Sequence, residues 1–346
     1  MSRATPKSPS LAVAAIAKRK DAAAALKRII TLGLLDKSRK VIKREDRVEI
    51  PILQQLGGFD MVVQDRPSFY RKLPDLTAAL QGQIPEGLLS LLPRGWFILG
   101  EVIIVKIHPL LRDYESHIGD ALLRYYPRCS TVLADEGISG QLRQPVRRTI
   151  VGSRSRTTHK ENGVVFHLDA REVMFSPGNL RERMRMGRLG KGEVVVDMFA
   201  GIGYFSIPMA VHSRPRKILA IELNPQSYHF LCQNIEANGV QDIVQPILGD
   251  CAVETPQGIA DRVLMGMVQV TNRYLETGIA ALKPGGTLHY HQTIPSRRFP
   301  EAAVEEVKEA AAAMGRRAEI LKCRRVKKFS PGVVHAVIDA RIDRDF

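Results

Sequence analysis

Two glycines and three acids are spaced so that together they could hold a nucleoside. Asp197-Met198-Phe199-Ala200-Gly201-Ile202-Gly203 follows the apolar run Val194-Val195-Val196 and leads into a helical pattern from Phe205. Gly201 and Gly203 let a ligand approach the backbone closely and permit φ > 0. In open α/β sheets such a ligand sits outside the carboxyl ends of the strands, at the switch point. The next strand pattern, Ile218-Leu219-Ala220-Ile221-Glu222, ends in an acid 19 residues past Gly203. A carboxylate there accepts both ribose hydroxyls of an adenosine. A third pattern ends in Gly249-Asp250-Cys251, where Asp250 can accept from an adenine amino group.

The loop differs from a dinucleotide fingerprint. That fingerprint reads G-x-G-x-x-G and places a pyrophosphate on a helix N-terminus. Here Ser206 stands at the third glycine position, and Asp197 precedes the turn. Negative charge favours a sulfonium and an amino group and opposes a pyrophosphate. The ligand implied is S-adenosylmethionine rather than NAD.

These residues need strands to carry them. From about residue 171 the sequence alternates strand patterns (193–197, 217–222, 244–249, 260–265, 286–291) with helical ones (205–211, 226–238, 272–281, 300–314). Two further strands, 317–326 and 333–341, follow without a helix between them, and Ser330-Pro331-Gly332 makes them an antiparallel hairpin. The reading is an open, mostly parallel sheet with helices on both faces, as in class I methyltransferase (Rossmann-like) folds. Residues 49–170 read as a smaller α+β domain, with strands 47–53, 96–107 and 163–169 and helices 75–92 and 109–126. Residues 1–48 read as a basic segment, partly helical (20–31) or disordered.

Composition narrows the partners. The chain has 346 residues, of which 45% are hydrophobic and 25% charged, so it can bury a full core. Its formal charge of +15 creates a field that attracts a polyanion, nucleic acid above all. Arg143, Arg147, Arg148, Arg154, Arg156 and Lys160 fall in one acid-free stretch, read as a face that contacts nucleic-acid phosphates. Lys18-Arg19-Lys20 is a second, weaker basic cluster. The four cysteines, Cys129, Cys232, Cys251 and Cys323, show no C-x-x-C spacing, which argues against a disulfide framework and a zinc site and fits a reducing cytoplasm. No run of about 18 apolar residues suggests a membrane span, and no signal peptide is apparent. His289 and His291 alternate on one strand and share a face, but no third ligand accompanies them, so no metal is expected. Tyr204 and Phe205, beside the cofactor loop, could stack on a base or pack in the core.

Several motifs carry a resemblance over most of the chain. Leu34-Leu35-Asp36-Lys37, Thr158-His159-Lys160-Glu161-Asn162-Gly163, Met174-Phe175-Ser176-Pro177-Gly178-Asn179 and Phe329-Ser330-Pro331-Gly332-Val333 resemble signatures of the enzymes that modify the guanosine 3′ of the tRNA anticodon. This superfamily joins the guanine-N1 methyltransferases to the wybutosine-synthesis aminocarboxypropyltransferases. The methyltransferases carry Asn-Pro-Pro or Asn-Leu-Pro after the fourth strand. Here that place reads Ala260-Asp261-Arg262-Val263-Leu264-Met265-Gly266-Met267-Val268-Gln269, which with Leu288-His289-Tyr290-His291-Gln292 is similar to the aminocarboxypropyltransferase branch.

That resemblance implies an activity. The aminocarboxypropyl group of S-adenosylmethionine would move to C7 of 4-demethylwyosine in the anticodon loop of phenylalanine tRNA, releasing methylthioadenosine. It also implies that Ser176, Arg183, Glu222, Asp250 and Cys251 contact the cofactor, Cys251 through its backbone, and that Arg183 holds a carboxylate by charge-assisted bonds. Asp197, Phe199, Gly201 and Gly203 complete the expected cofactor site. Asp261 is the one candidate for the base that removes the C7 proton, the plainer role being to end a strand. A monomer is expected. The alternatives are guanine-N1 methyl transfer and an RNA-binding protein with a degenerate cofactor fold.

Overall fold

A computed structural model describes residues 12–69, 74–140 and 144–344. The chain divides into two units, Met1–Asp75 and Leu76–Phe346. In the first, strands β1 (Val13–Lys18), β2 (Ile42–Lys43), β3 (Arg47–Pro51) and β4 (Asp60–Val63) form an antiparallel sheet in the order β2-β3-β1-β4. Helix α1 (Ala22–Thr31) sets Ala25 and Ile29, at i and i+4, into its core with Ile50 and Ile52. The expected boundary at residue 48 is therefore corrected. β3, assigned to a second domain, pairs with β1 inside the first, and the basic segment supplies β1, α1 and β2.

The second unit contains a four-stranded sheet, β5 (Trp96–Leu99), β6 (Val102–Val105), β7 (Thr131–Ser139) and β8 (Gln144–Val151), in sequential order. The single strand expected over 96–107 is a hairpin, because Gly100 takes φ 54° and turns the chain back on itself. The helix expected over 75–92 is two short ones, α2 (Leu76–Leu80) and α3 (Glu86–Leu89), parted at Gly82 (φ 79°) and Pro85. The helix expected over 109–126 opens as a 3-10 turn, Pro109–Tyr114, before α4 (Glu115–Tyr125). A separate hairpin follows, β9 (Arg156–Glu161) with β10 (Val164–Asp169).

The main sheet has seven strands: β11 (Val194–Asp197), β12 (Lys217–Glu222), β13 (Val244–Leu248), β14 (Ala260–Met265), β15 (Leu282–Pro295), β16 (Arg316–Ser330) and β17 (Val333–Arg344). Their order is β13-β12-β11-β14-β15-β17-β16, parallel through β15 and antiparallel across the last two pairings. The all-apolar Val194-Val195-Val196 suits a central parallel strand covered on both faces. The helices are α5 (Leu180–Met186), α6 (Ser206–His212), α7 (Pro225–Ala237), α8 (Cys251–Glu254), α9 (Leu275–Ala281) and α10 (Glu301–Ala313). α7 starts where Asn224 accepts the Gln226 amide and Pro225 fixes the first turn. α10 buries Ala303, Val307 and Ala311, each four apart, against the sheet.

The expected boundary at residue 170 falls inside a continuous core. Leu99, Val102, Ile104 and Leu133 of the smaller sheet pack in one cluster with Phe166, Val195, Ile202 and Phe205. Among the described residues no helix is long and apolar enough to cross a membrane.

Candidate active site

The strand order of the large sheet reverses between β11 and β14, so the loops after these strands part and leave a crevice. A cavity of about 450 Å³ lies there, walled by Met198, Phe199 and Gly201 after β11, Glu222 at the end of β12, and Asp250 and Cys251 after β13. A second, of about 170 Å³, shares Met174, Phe199, Tyr204, Gly266, Met267 and Val268 with the first and adds Ser176, Arg183, Lys327 and His335.

Glu222 is held from both sides. Its Oε2 accepts the Gly201 amide at 2.7 Å and its Oε1 the Asn224 amide at 2.8 Å. Burial pushes its pKa up, while these amides oppose the rise. Each oxygen keeps a further lone pair for a ligand hydroxyl. Asp250 caps α8 by accepting the Ala252 amide at 2.9 Å and still borders the cavity. Burial and, after it, the Asp250 charge push the Cys251 thiol up to about 12, so it remains an inert S–H. Phe199 meets Tyr274 edge-on, centroids 5.5 Å apart, at the same wall. Gly201, at φ 59°, belongs to the wall as expected.

Four expected site residues act differently. Asp197 is fully buried below the loop and is absent from the cavity wall. Its Oδ2 accepts the Ser206 hydroxyl at 2.6 Å, which ties the end of β11 to the start of α6. Burial pushes its pKa up to about 6. Gly203, at φ 97°, also faces away. A Cβ there would lie 2.4 Å from Ile207 and 3.2 Å from Leu231, so this glycine allows close packing of loop on helix. Arg183 borders the smaller cavity, but its Nε and Nη2 donate to the two Glu161 oxygens at 2.6 Å each, and its Nη1 donates to the Ser176 carbonyl at 2.8 Å. Its charge is matched within the protein, and it braces Ser176 at the edge of that cavity. Burial raises the Glu161 pKa, but the Arg183 and His159 partners outweigh it and hold the carboxyl at about 2.

Asp261 is also displaced. It is the second residue of β14, at the opposite end of the sheet from the crevice. It accepts the Val194 amide and the Lys283 ammonium, at 2.8 and 2.9 Å, and cannot act as base in the cavity.

The basic stretch divides. Arg143 lies outside the described residues. Arg147 is buried; it donates to the Ala170 carbonyl, faces Asp135 at 3.5 Å and lies over the Phe97 ring. Arg148 is bidentate to Glu115, at 2.7 and 3.0 Å, and also reaches Glu136. Arg147 is thus structural, which corrects the reading of it as a phosphate contact, whereas Arg148 keeps a partly exposed side chain beside its ion pairs. Arg154, Arg156 and Lys160 are exposed.

Residue spacing did not point to Lys327, Met267, Val268 or His335 as cavity residues. Lys327 Nζ lies 2.7 Å from Ser176 Oγ. Its closeness to Phe329-Ser330-Pro331-Gly332 was the available signal. His289 and His291 do share a face and are buried: His289 Nδ1 pairs with Asp339 at 2.6 Å, and His291 Nδ1 with His335 Nε2 at 3.0 Å. Among the described residues no group of three His, Cys, Asp or Glu side chains could hold a metal.

Comparison with known proteins gives the family. The model of the TRM5/TYW2 methyltransferase domain covers residues 157–321, and that of the TYW2 N-terminal domain covers residues 76–155. The tRNA(Phe) (4-demethylwyosine(37)-C(7)) aminocarboxypropyltransferase of Pyrococcus horikoshii is 36% identical over 270 residues, 78% of this chain and 96% of that protein. The chain belongs to the TRM5/TYW2 family. The TRM5/TYW2 relatives include the tRNA (guanine(37)-N(1))-methyltransferase Trm5b of Pyrococcus abyssi, 32% identical over 326 residues, 91% of this chain and 94% of that one. The structure of P. horikoshii TYW2 in complex with MeSAdo superposes with a TM-score of 0.70 at 35% identity, covering 78% of this chain and 98% of that one. Both TRM5/TYW2 models fall within the second unit. The crystal structure of P. abyssi Trm5b, with a TM-score of 0.70 at 30% identity, covers 96% of this chain and 99% of that one.

Proposed function

We propose that this protein transfers the 3-amino-3-carboxypropyl group of S-adenosylmethionine to C7 of 4-demethylwyosine in the anticodon loop of phenylalanine tRNA, releasing methylthioadenosine. The observation that carries this reading is the wall shared by the two cavities, Gly266-Met267-Val268. It is apolar and unable to offer guanine N1 the polar atoms that an Asn-Pro-Pro segment supplies. The names of relatives 36% and 39% identical to this chain agree with it.

The larger cavity suits the adenosyl part, with Glu222 on the ribose, Asp250 and the Cys251 amide on adenine, and Phe199 and Gly201 as walls. Bound there, S-adenosylmethionine supplies a sulfonium whose attached carbons are all activated, so orientation selects the product. Ser176 and Lys327 in the smaller cavity are placed to hold the carboxylate of the amino-acid chain. Arg183 acts on this pair through the Ser176 carbonyl. Arg154, Arg156 and Lys160, with the exposed Arg317, Lys322, Arg325 and Lys328 of edge strand β16, offer phosphate contacts to tRNA.

A second reading, guanine-N1 methyl transfer, is favoured by the coverage of Trm5b, which reaches into the first unit. Chromatography of the nucleoside released on reaction with precursor tRNA separates the two. Methylthioadenosine is expected; S-adenosylhomocysteine would favour the second reading.

A further inference from the structure

Alkylation of C7 leaves a proton to be removed, and Asp261 is at the wrong end of the sheet. The side chains with ionisable groups on the smaller cavity are Arg183, Tyr204, Lys327 and His335. A guanidinium and an ammonium have no lone pair to give. Burial pushes the Tyr204 phenol well up, so it keeps its proton. His335 remains, an almost fully buried imidazole on β17.

Its tautomer follows from its neighbours. The Glu182 carboxylate, on α5, can only accept, and it faces His291 Nε2 at 3.8 Å. That nitrogen is buried without a hydrogen-bond partner, and the negative charge facing it favours a proton there over a lone pair. His291 Nδ1 then carries the lone pair and accepts from His335 Nε2 at 3.0 Å. His335 Nδ1 is left with a lone pair, and among the described residues nothing donates to it.

We propose that His335 Nδ1 is the base that takes the C7 proton, held in its Nε2–H tautomer by His291 and Glu182. The inference rests on the aminocarboxypropyl reading above. As the C7 electron pair forms the new bond to the γ-carbon, the γ-carbon–sulfur bond breaks and its pair leaves on sulfur as neutral methylthioadenosine. The ring then bears the positive charge. His335 Nδ1 takes the C7 proton, and the C–H pair restores the aromatic ring. The sign of the charge suits a weak base. Burial first, then His291 and Lys327, hold the His335 pKa down to about 3, so it is neutral when the reaction starts, and a cationic ring is a strong enough acid to protonate it. Around the histidine pair stand Glu182 and Arg185 from α5, His289 from β15, Arg324 and Lys327 from β16 and Asp339 from β17.

Five measurements on the full chain test this. Histidine ¹⁵N NMR of the wild-type protein should show His335 neutral with Nδ1 unprotonated; an Nδ1–H tautomer would overturn the proposal. The resonance is assigned by its loss in His335→Gln or His335→Asn. In single-turnover transfer, His335→Gln should slow product formation about 100-fold or more. Binding of S-adenosylmethionine and tRNA should change less than about threefold, a window narrower than one hydrogen bond. A primary isotope effect should appear with C7-deuterated tRNA, and imidazole should restore rate to His335→Ala. A wild-type rate in His335→Gln sinks the base assignment alone. Methyl transfer by the wild-type protein sinks the reading on which it rests, and the assignment with it.

Discussion

Glu222 and Asp250 set two carboxyl groups on the wall of the larger cavity, and under the proposed function their removal should be felt in binding. A hydrogen bond to a charged group contributes about 1.5–3 kcal/mol. Glu222→Ala is therefore expected to raise the dissociation constant for S-adenosylmethionine about 10- to 100-fold by calorimetry. Arg183 and Lys327 should separate. Arg183→Ala leaves the half-buried Glu161 with His159 alone as partner and should cost about 1.5–3 kcal/mol of stability in denaturant unfolding. Lys327→Met should leave stability nearly unchanged and raise KM for S-adenosylmethionine; the reverse pattern would restore Arg183 as the carboxylate clamp. At this scale the sequence was informative where a residue ends a strand. Glu222, Asp250 and Gly201 sit at the carboxyl ends of β12, β13 and β11, and that position forces them into the crevice. It was uninformative about direction. Asp197 and Gly203 occupy the same loop as Gly201 and face the core, a matter of local φ that residue type does not show.

The elements were legible by period. The β11–β15 alternation and the antiparallel β16–β17 pair follow from apolar spacing and the Ser330-Pro331-Gly332 turn. The β5–β6 turn was hidden, because Gly100-Glu101 interrupts an apolar run by only two residues. Strands β8 and β9 were obscured by their charge: Arg147, Arg148 and Arg156 look like loop residues until Asp135, Glu115, Glu136 and Asp169 are found beside them. The cofactor loop depends on Gly203. Gly203→Ala forces a Cβ against Ile207 at a positive φ and should cost about 1–3 kcal/mol. Thermal unfolding checks this, and an unchanged midpoint would mean that the loop tolerates the side chain.

At the scale of the molecule, charge sets two responses. His291 and His335, each held down to about 3 chiefly by burial, have an ordinary value of 6.5. The unfolded chain binds these protons first, so their contribution is complete above pH 6.5 and is lost as pH falls towards 3. Asp197, raised from 3.8 to about 6, and Glu222, also raised by burial, give the opposite slope, but His289 is lowered by burial as well, so three imidazoles stand against two carboxyls. The unfolding midpoint followed by the single tryptophan, Trp96 in the second unit, should thus fall from about pH 7 to about pH 5. A rise would contradict the buried pair. Binding of tRNA should weaken steeply with salt, and replacing Arg154, Arg156 and Lys160 with Gln should reduce the log–log slope by about 2–3.

The net charge and the strand-end acids suggested a nucleic-acid partner and S-adenosylmethionine, and the resemblance of motifs such as Thr158-His159-Lys160-Glu161-Asn162-Gly163 implied a tRNA-modifying transferase, while the choice of group transferred rests on one apolar wall, Gly266-Met267-Val268. The most direct test reacts the protein and precursor tRNA with S-adenosylmethionine labelled in the carboxyl carbon or in the methyl carbon. The account predicts carboxyl label in tRNA and methyl label in free methylthioadenosine; methyl label in tRNA, with the carboxyl label left in solution, would contradict it.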